Sequence, residues 1–164
     1  MANTASPNST LKKMLYHNIA PVFNAQSEIL ILGSFPSDAS RKAGFAYGHP
    51  QNRFWKLLAD ICDKTLPVTA GEKIELLYNN KIAIWDVIAS CDIIASSDAS
   101  IVNVTPNDIS IILNECNISA IFSNGRTAQK LYDKYIKATV GSEIVYLPST
   151  SPANASFGYN TNPL

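Results

Sequence analysis

Residues 28–33 read Glu-Ile-Leu-Ile-Leu-Gly, an apolar run that ends in a glycine. A short run without polar alternation predicts a strand whose two faces are both buried, as in a parallel sheet. Similar runs occur at residues 81–87, 119–123 and 143–147. Apolar residues at helical spacing predict helices between these runs, at residues 52–62, 69–78, 105–115 and 126–136. Strands that alternate with helices predict an α/β fold of three layers, with helices on both faces of a central, mostly parallel four-stranded sheet.

Two of the predicted helix starts carry capping signals. Residues 69–72 read Thr-Ala-Gly-Glu, the pattern of a capping box, in which the threonine and glutamate satisfy each other's backbone amides. Thr105 precedes Pro106, and proline is favoured at the first position of a helix because its missing N–H is not needed there. We therefore expect helices to begin after Thr69 and after Thr105.

The totals indicate a globular protein with a single domain. The chain has 164 residues, of which 46% are hydrophobic and 16% are charged. We expect a flexible N-terminal tail at residues 1–14 and one domain at residues 15–164. No apolar run is long enough to span a membrane, and the first residues lack the pattern of a secretory signal. We expect a monomer that does not associate with a membrane.

The cysteine, histidine and charge content narrows the chemistry. Three scattered cysteines argue against a disulfide framework and a four-thiolate iron–sulfur cluster, and for a reducing cytoplasm. His17 and His49 are the only histidines, so a histidine-rich zinc site is not expected. We expect no metal and no organic cofactor. The formal net charge is zero, so any binding of nucleic acid must depend on a local cationic face and on backbone amides.

Four segments at the carboxyl ends of the predicted strands are candidates for a ligand site. In open α/β sheets, ligands bind outside these strand ends. The segments are Gly33–Ser37, Trp85–Val87, Asn124–Gly125 and Leu147–Asn154. Three of the four are rich in glycine, proline, serine or asparagine. We expect all four to cluster along one edge of the sheet.

The segment after the first strand offers hydroxyl groups. Gly33 allows the backbone to approach a ligand closely. The hydroxyls of Ser34, Ser37 and Ser40 could contact a phosphate or a base. Taken alone, this segment favours an ordinary turn from strand to loop.

Residues 44–55 are dense in aromatic and amide side chains and lead into a helix. Tyr47 could stack on a base, and Arg53 could meet a phosphate. Asn52 could hold a water through its side-chain oxygen while it also donates a hydrogen bond, or it could simply cap the helix. His49 fits a loop histidine whose hydrogen bonds are satisfied better than it fits a catalytic acid.

Residues 147–154 read Leu-Pro-Ser-Thr-Ser-Pro-Ala-Asn, in which two prolines bracket the hydroxyl side chains. A stiff loop with exposed amides can hold a DNA strand or face a departing base anion, although it also fits a rigid connector. At the end of another strand, either Asn124 or Thr127 is expected to cap the helix that follows. The carboxylates of Asp86 and Asp98 could act as bases or could hold loops by accepting amide hydrogens, and we favour the structural role for both.

Four segments, in order along the chain, resemble the hypoxanthine-DNA glycosylase branch of the uracil-DNA glycosylase superfamily. They are Gly33-Ser-Phe-Pro-Ser37, His49-Pro-Gln-Asn-Arg-Phe-Trp55, Ile84-Trp-Asp-Val-Ile-Ala-Ser-Cys91 and Leu147-Pro-Ser-Thr-Ser-Pro-Ala-Asn154. The resemblance extends from about residue 18 to residue 154 and covers most of the chain.

The resemblance implies roles for individual residues. In neighbouring branches an asparagine or aspartate of the first motif positions the attacking water, whereas Phe35 stands there in this sequence. The hypoxanthine branch implies that Asn52 takes over this catalytic duty. Tyr47 falls at the base-stacking aromatic position. Ser149 stands where the best-known branch has a histidine beside the leaving base, and Ala153 stands where a neighbouring branch pushes a leucine into the DNA.

The implied site is therefore one catalytic residue with two sets of binding residues. The base-binding set is Gly33, Ser34, Phe35, Tyr47, Ser149 and Ser151. The DNA-binding set is Ser37, Ser40, Arg53, Asn124, Pro152, Ala153 and Asn154.

The activity that the resemblance implies is that of a DNA repair glycosylase whose partner is DNA that contains deaminated bases. Such an enzyme flips hypoxanthine, uracil or xanthine out of the duplex and hydrolyses the bond from sugar to base, which leaves an abasic site. Three alternatives stay open. The preferred base could be uracil, the chain could be a non-catalytic nucleic-acid-binding module on the same fold, or it could be an unrelated small α/β protein.

Overall fold

The computed structural model describes residues 13–93 and 101–154. Within these residues, seven strands and six helices follow one another along the chain. In chain order they are β1 (Lys13–Tyr16), β2 (Ile29–Gly33), α1 (Asp38–Ala43), α2 (Phe54–Ile61), α3 (Ala70–Asn79), β3 (Ile82–Asp86), β4 (Ile88–Ile93), β5 (Ile101–Pro106), α4 (Ser110–Leu113), β6 (Ala120–Asn124), α5 (Arg126–Tyr135), α6 (Lys137–Val140) and β7 (Ile144–Leu147).

The four predicted strands form one sheet, in the order β3-β2-β6-β7, and every pairing in it is parallel. The central strand β2 pairs with β3 on one side and with β6 on the other. Leu30 and Leu32 of β2 have no exposed surface, as expected for a strand covered on both faces. The predicted four-stranded parallel sheet is confirmed.

Helices cover both faces of this sheet, which gives the predicted three layers. On one face, α2 and α3 pack in a cluster that contains Ile31, Phe54 and Leu77. On the other face, α4 and α5 contribute Ile112 and Tyr132 to a second cluster around Leu30 and Leu32. Successive residues of β2 and β3 therefore point into different clusters.

The capping box of α3 is present as predicted. The Thr69 hydroxyl accepts from the Glu72 amide at 3.1 Å, and the Glu72 carboxylate accepts from the Thr69 amide at 3.1 Å. This reciprocal pair ends the loop and begins the helix at Ala70.

A second sheet, with strand order β1-β4-β5 and antiparallel pairing, was not predicted. Thr105 and Pro106 belong to its strand β5, so the prediction of a helix that begins there was wrong. The pairing of β5 with β4 outweighs the local capping signal. The helix that does form, α4, starts at Ser110, where the Asp108 carboxylate accepts from the Ser110 amide at 3.1 Å.

The described residues bear on the expected N-terminal tail. Strand β1 takes up residues 13 and 14 of the predicted tail, and residues 1–12 lie outside the described residues, as does Asp98. Within the described ranges, no helix has the length and apolar character that crossing a membrane requires. The same ranges contain no cluster of three or more potential metal ligands.

Candidate functional site

The carboxyl ends of the parallel strands meet at one edge of the sheet, as the sequence predicts. Gly33 is in register with Asp86 at the ends of β2 and β3, and Asn124 is in register with Leu147 at the ends of β6 and β7. Because side chains alternate along a strand, Gly33, Asp86 and Asn124 lie on the face that α2 and α3 cover. A site at this edge is therefore built on four strands at once.

Gly33 leaves room for two polar groups to approach the backbone. A Cβ atom at residue 33 would lie 2.5 Å from Oδ1 of Asp86 and 3.2 Å from the Tyr47 hydroxyl. Any larger residue would have to displace the Asp86 carboxylate. Gly33 was predicted to let a ligand approach the backbone. In the structure it is the side chains of Asp86 and Tyr47 that approach it.

Tyr47 is held in place by aromatic packing. Its ring stacks on Phe54 at a centroid distance of 4.0 Å, so only its other face could stack on a base. The backbone of Tyr47 is in the left-handed region, at φ 53°, a conformation that costs a residue with a side chain of this size about 1–3 kcal/mol. Its hydroxyl is buried and makes no well-formed hydrogen bond with the described residues. Burial, and next the negative charge of Asp86, raise the pKa of Tyr47, so the phenol is neutral at physiological pH.

Asp86 is a buried carboxyl at the end of β3, with 7% of its surface exposed. Burial raises its pKa to about 7. No described residue donates a hydrogen bond to its side chain, so the predicted role of holding a loop through amide hydrogens does not apply to Asp86. The Asn107 side chain donates instead to the backbone carbonyl of Asp86, at 2.8 Å.

Asn52 directs its side-chain oxygen into the protein. Oδ1 accepts from the backbone amide of Phe54 at 3.0 Å and from the Thr150 hydroxyl at 2.8 Å. An amide N–H can only donate, so the atom that faces Phe54 must be the oxygen. The helix-capping alternative is thus present, and both lone pairs of Oδ1 are in use. The side-chain nitrogen of Asn52 donates to no residue in the described part of the chain.

Thr150 joins the asparagines of two segments that are far apart in the sequence. Its hydroxyl accepts from Nδ2 of Asn124 at 2.9 Å while it donates to Asn52, and its backbone amide donates to Oδ1 of Asn124 at 2.9 Å. Asn124 is therefore not the helix cap expected from its position, because Gly125 occupies that place at φ 99°. Only 7% of Thr150 is exposed. This network locks the orientation of the Asn52 amide.

Arg53 anchors the 147–154 loop through hydrogen bonds to its backbone carbonyls. Its guanidinium donates to the backbone carbonyls of Ser149, Ser151 and Asn154 at 3.2, 3.3 and 2.9 Å. Its own amide donates to the carbonyl of Thr150 at 3.1 Å. The structure uses this cation to shape a loop, where the sequence suggested a phosphate contact.

The serines of the 147–154 loop are also engaged within it. The Ser149 hydroxyl accepts from the Ser151 amide at 3.1 Å, and the Ser151 hydroxyl accepts from the Ala153 amide at 3.2 Å. These bonds, with the Thr150 amide already donated to Asn124, remove three amides that were expected to face an anion. Pro152 and Ala153 are exposed at the tip of the loop, where a DNA strand could reach them.

The serines that follow β2 begin a helix. The Ser37 hydroxyl caps α1 by accepting from the Ser40 amide at 3.1 Å. Ser40 is 2% exposed and its hydroxyl accepts from the Gly48 amide at 2.9 Å, which assigns it a structural role in place of a DNA contact. By contrast, the backbone amides of Ser34 and Phe35 donate to no described residue.

Phe35 points away from the site. Its ring packs against the cluster on the opposite face of the sheet. His17 meets the ring edge-on at a centroid distance of 5.4 Å, and the Arg41 guanidinium lies 5.5 Å from its centre. Any contact of Phe35 with a base would therefore be made by its backbone.

Two cavities adjoin this edge. One of about 330 Å³, the size of a small-molecule site, lies between α2 and the 147–154 loop and is lined in part by Arg53, Asn124 and Thr150. Another of about 220 Å³ includes Asp86 in its lining. Asn52 is not in the lining of either cavity, although its neighbours in sequence and in the network line the larger one.

The fold and these segments match one family of known proteins. The model of the uracil DNA glycosylase superfamily matches residues 20–163. That match covers more than half of the chain. The chain belongs to the uracil-DNA glycosylase superfamily.

The relatives of this superfamily member include two proteins named hypoxanthine DNA glycosylase. The one from Methanosarcina barkeri is 35% identical over 136 residues, which cover 82% of this chain and 85% of the relative. The one from Methanosarcina acetivorans is 35% identical over 149 residues, which cover 90% and 93%. A solution NMR structure of a Methanosarcina acetivorans protein, proposed to be a uracil DNA glycosylase, has a TM-score of 0.76 and 32% identity, and the match covers 90% of this chain and 91% of that one.

For two residues of this superfamily member, Thr150 and Asp86, the structure shows contacts or burial that the sequence did not indicate. Thr150 was one hydroxyl among several in its loop, and only its partners 26 and 98 residues away distinguish it. Asp86 stood at a strand end, which was the available signal, but its burial, and the absence of a hydrogen-bond donor to its carboxyl among the described residues, follow from the packed structure.

Proposed function

We propose that this superfamily member is a DNA repair glycosylase that excises deaminated bases, above all hypoxanthine. The damaged nucleotide would be flipped out of the duplex into the site at the carboxyl ends of the parallel strands. The observation that carries the proposal is the network at the strand ends, in which Thr150 holds the Asn52 amide in one orientation. The two named relatives support hypoxanthine as the substrate.

Asn52 is proposed to orient the attacking water with its side-chain nitrogen. Both lone pairs of Oδ1 are already taken, so a water at this residue accepts a hydrogen bond from Nδ2. That bond uses one lone pair of the water and leaves the other to point at C1′ of the sugar. An asparagine is not a useful base at pH 7, but orientation suffices when the bond to the base breaks ahead of attack.

The leaving base is proposed to be stabilised mainly by the segment after β2. The amides of Ser34 and Phe35 are available there, whereas three amides of the 147–154 loop are used within that loop. Tyr47 offers one ring face for stacking.

The 147–154 loop is proposed to contact the DNA strand. Pro152 and Ala153 form its exposed tip, and Arg53 supports it by holding its carbonyls. Ser149, Ser151 and Asn154 give the loop the shape in which this contact is made.

The test separates catalysis from helix capping. Asn52→Asp keeps an acceptor for the Phe54 amide and the Thr150 hydroxyl but has no side-chain N–H, whereas Asn52→Ala loses both functions. We expect both variants to lose at least about 100-fold in single-turnover excision from an inosine-containing duplex. Thr69→Ala is the matched control, because it removes the helix cap of α3, and Thr69 takes no part in the hydrogen bonds of Asn52.

Excision by Asn52→Ala at a rate near that of the wild type would remove Asn52 from the catalytic role, and excision by Asn52→Asp at such a rate would exclude a role of the side-chain nitrogen. A wild-type protein that binds a flipped or abasic nucleotide but releases no free base would favour the non-catalytic module. A panel of duplexes that carry hypoxanthine, uracil or xanthine decides the preferred base. Uracil is the second candidate, because the names of the matched family and of the solved structure both refer to uracil DNA glycosylase.

A further inference from the structure

The backbone of Tyr47 is held in its left-handed conformation, at φ 53°, by hydrogen bonds on both sides. A bulky aromatic residue adopts this region only where its surroundings enforce it. In the peptide group before Tyr47, the carbonyl of Ala46 accepts from Nε1 of Trp55 at 3.1 Å. In the peptide group after it, the amide of Gly48 donates to the Ser40 hydroxyl at 2.9 Å. Both backbone torsion angles of Tyr47 are therefore fixed by side chains from other segments.

Ser40 lies in α1 with 2% of its surface exposed, against the segment that carries Tyr47. Its backbone carbonyl accepts from the amides of Gly44 and Phe45 at 2.8 and 3.3 Å. A Cβ atom added at Gly48 would lie 3.3 Å from the Cα atom of Ser40. The chain thus turns at the end of α1 and returns to Ser40 at Gly48. No other described residue accepts a hydrogen bond from the Gly48 amide.

We propose that Ser40 is a positioning residue whose hydroxyl holds Tyr47 in the conformation that presents its ring to the flipped base. The inference rests on the proposed glycosylase function, in which Tyr47 stacks on that base. One face of the ring packs on Phe54, and the Tyr47 hydroxyl makes no well-formed hydrogen bond with the described residues. The place of the ring therefore depends on this packing and on the backbone that Ser40 holds. Ser40 itself touches neither the base nor the DNA.

Stacking on a flipped base is strongest when the ring is in place before the base arrives, because ordering it at that moment costs conformational entropy. In Ser40→Ala the Gly48 amide loses its acceptor, and Tyr47 is free to relax to the negative φ that a tyrosine prefers. Only a fraction of the molecules then presents the ring. The apparent affinity for the flipped base falls by that fraction, which we expect to be about 5- to 50-fold.

The first test compares the affinities of wild type and Ser40→Ala for two duplexes. One carries 2′-fluoro-2′-deoxyinosine, whose base is not released because the fluorine destabilises positive charge on the sugar. The other carries a tetrahydrofuran abasic analogue, which has no base for Tyr47 to stack on. Ser40→Ala should bind the fluoroinosine duplex about 5- to 50-fold more weakly and the abasic duplex within about twofold of the wild type. A general loss of structure would weaken both.

The second test is a double-mutant cycle with Tyr47→Ala, measured as single-turnover release of base from an inosine-containing duplex. Alone, Ser40→Ala should slow release by about 5- to 50-fold. In the Tyr47→Ala background the same change should slow it less than about twofold, because the residue through which Ser40 acts has lost its ring. Amide hydrogen exchange of Gly48 should be at least about tenfold faster in Ser40→Ala, while that of Gly44, which bonds to the Ser40 carbonyl, stays unchanged.

Ser27→Ala is the matched control. Ser27 is also a buried serine, 1% exposed, whose hydroxyl accepts from a backbone amide, that of Asn24, at 3.1 Å. It lies in the loop before β2, at the end of that strand opposite to the site. Ser27→Ala should lower the free energy of unfolding, but it should leave the excision rate and both affinities within about twofold of the wild type.

The outcomes separate this inference from the proposed function. A wild-type protein that releases no base from any deaminated duplex would overturn both. An active wild-type protein would leave the proposed function in place. In that case the role of Ser40 alone would be overturned if Ser40→Ala weakened binding of both duplexes equally, or if it slowed release as much in the Tyr47→Ala background as in the wild type. Thermal unfolding of each variant shows whether a lost rate reflects a lost fold.

Discussion

Replacing the Asp86 carboxyl with an amide should make the protein more stable at alkaline pH. A carboxyl whose pKa is about 7 in the folded protein and 3.8 when exposed binds its proton more tightly in the folded state. Its contribution to the free energy of unfolding is therefore full below about pH 4 and is lost as the pH rises through 7. The difference of about three pH units corresponds to at most ~4 kcal/mol. Asp86→Asn does not titrate, so its advantage over the wild type should grow by that amount between pH 4 and pH 8.

Urea denaturation of wild type and Asp86→Asn at pH 4, 6 and 8 measures this difference directly. In thermal unfolding, the same change corresponds to a midpoint roughly 10 °C higher for the variant at pH 8. Asp63→Asn, at an exposed carboxylate after α2, is the matched control and should change stability by less than ~0.5 kcal/mol at each pH. An advantage of Asp86→Asn that is the same at pH 4 and pH 8 would refute the burial argument. A stabilised but slower variant would mean that Asp86 serves binding at the expense of stability.

Three further substitutions test the network around the site. Thr150→Val removes a hydrogen-bond partner from both Asn52 and Asn124, so it should lower the free energy of unfolding in urea by ~1–3 kcal/mol and the excision rate at least about tenfold. Thr150→Ser should restore both. A Thr150→Val variant with unchanged stability and rate would exclude the bridging role. Arg53→Met should speed hydrogen exchange of the amides at residues 149–154 but not in β2, and unchanged exchange in the loop would contradict the clamp. Gly33→Ala should push the Asp86 carboxyl aside and slow excision at least about tenfold. In the control Gly71→Ala, the added Cβ has no neighbouring atom closer than 3.9 Å, so this variant should stabilise α3 by ~0.5–1 kcal/mol. Equal effects of the two variants would contradict the close approach at residue 33.

The strands of the central sheet were predictable because their signal is local. Each is a short apolar run that must be buried on both faces, and the run itself carries that information. The capping box at Thr69 was equally local, since its two members are three residues apart. The clustering of the strand ends followed from parallel pairing, which brings all carboxyl ends to one edge.

The second sheet and the start of α4 could not be predicted from local sequence signals. Thr105 and Pro106 carry a helix signal, but β5 pairs with β4, and the energy of that pairing depends on residues elsewhere in the chain. A local preference of about 1 kcal/mol is readily outweighed by such pairing.

By itself, the sequence determined the parallel sheet, the residues at the carboxyl ends of its strands and the resemblance to a glycosylase family, because apolar runs and motif residues are properties of contiguous segments. Only the tertiary structure decided what those residues do. It turned the oxygen of Asn52 towards a threonine 98 residues away and directed the Arg53 guanidinium to loop carbonyls. It also buried the Asp86 carboxyl where no described residue donates a hydrogen bond to it. Hydrogen-bond partners and solvent exclusion depend on which distant segments meet, so they appear only when the chain is packed.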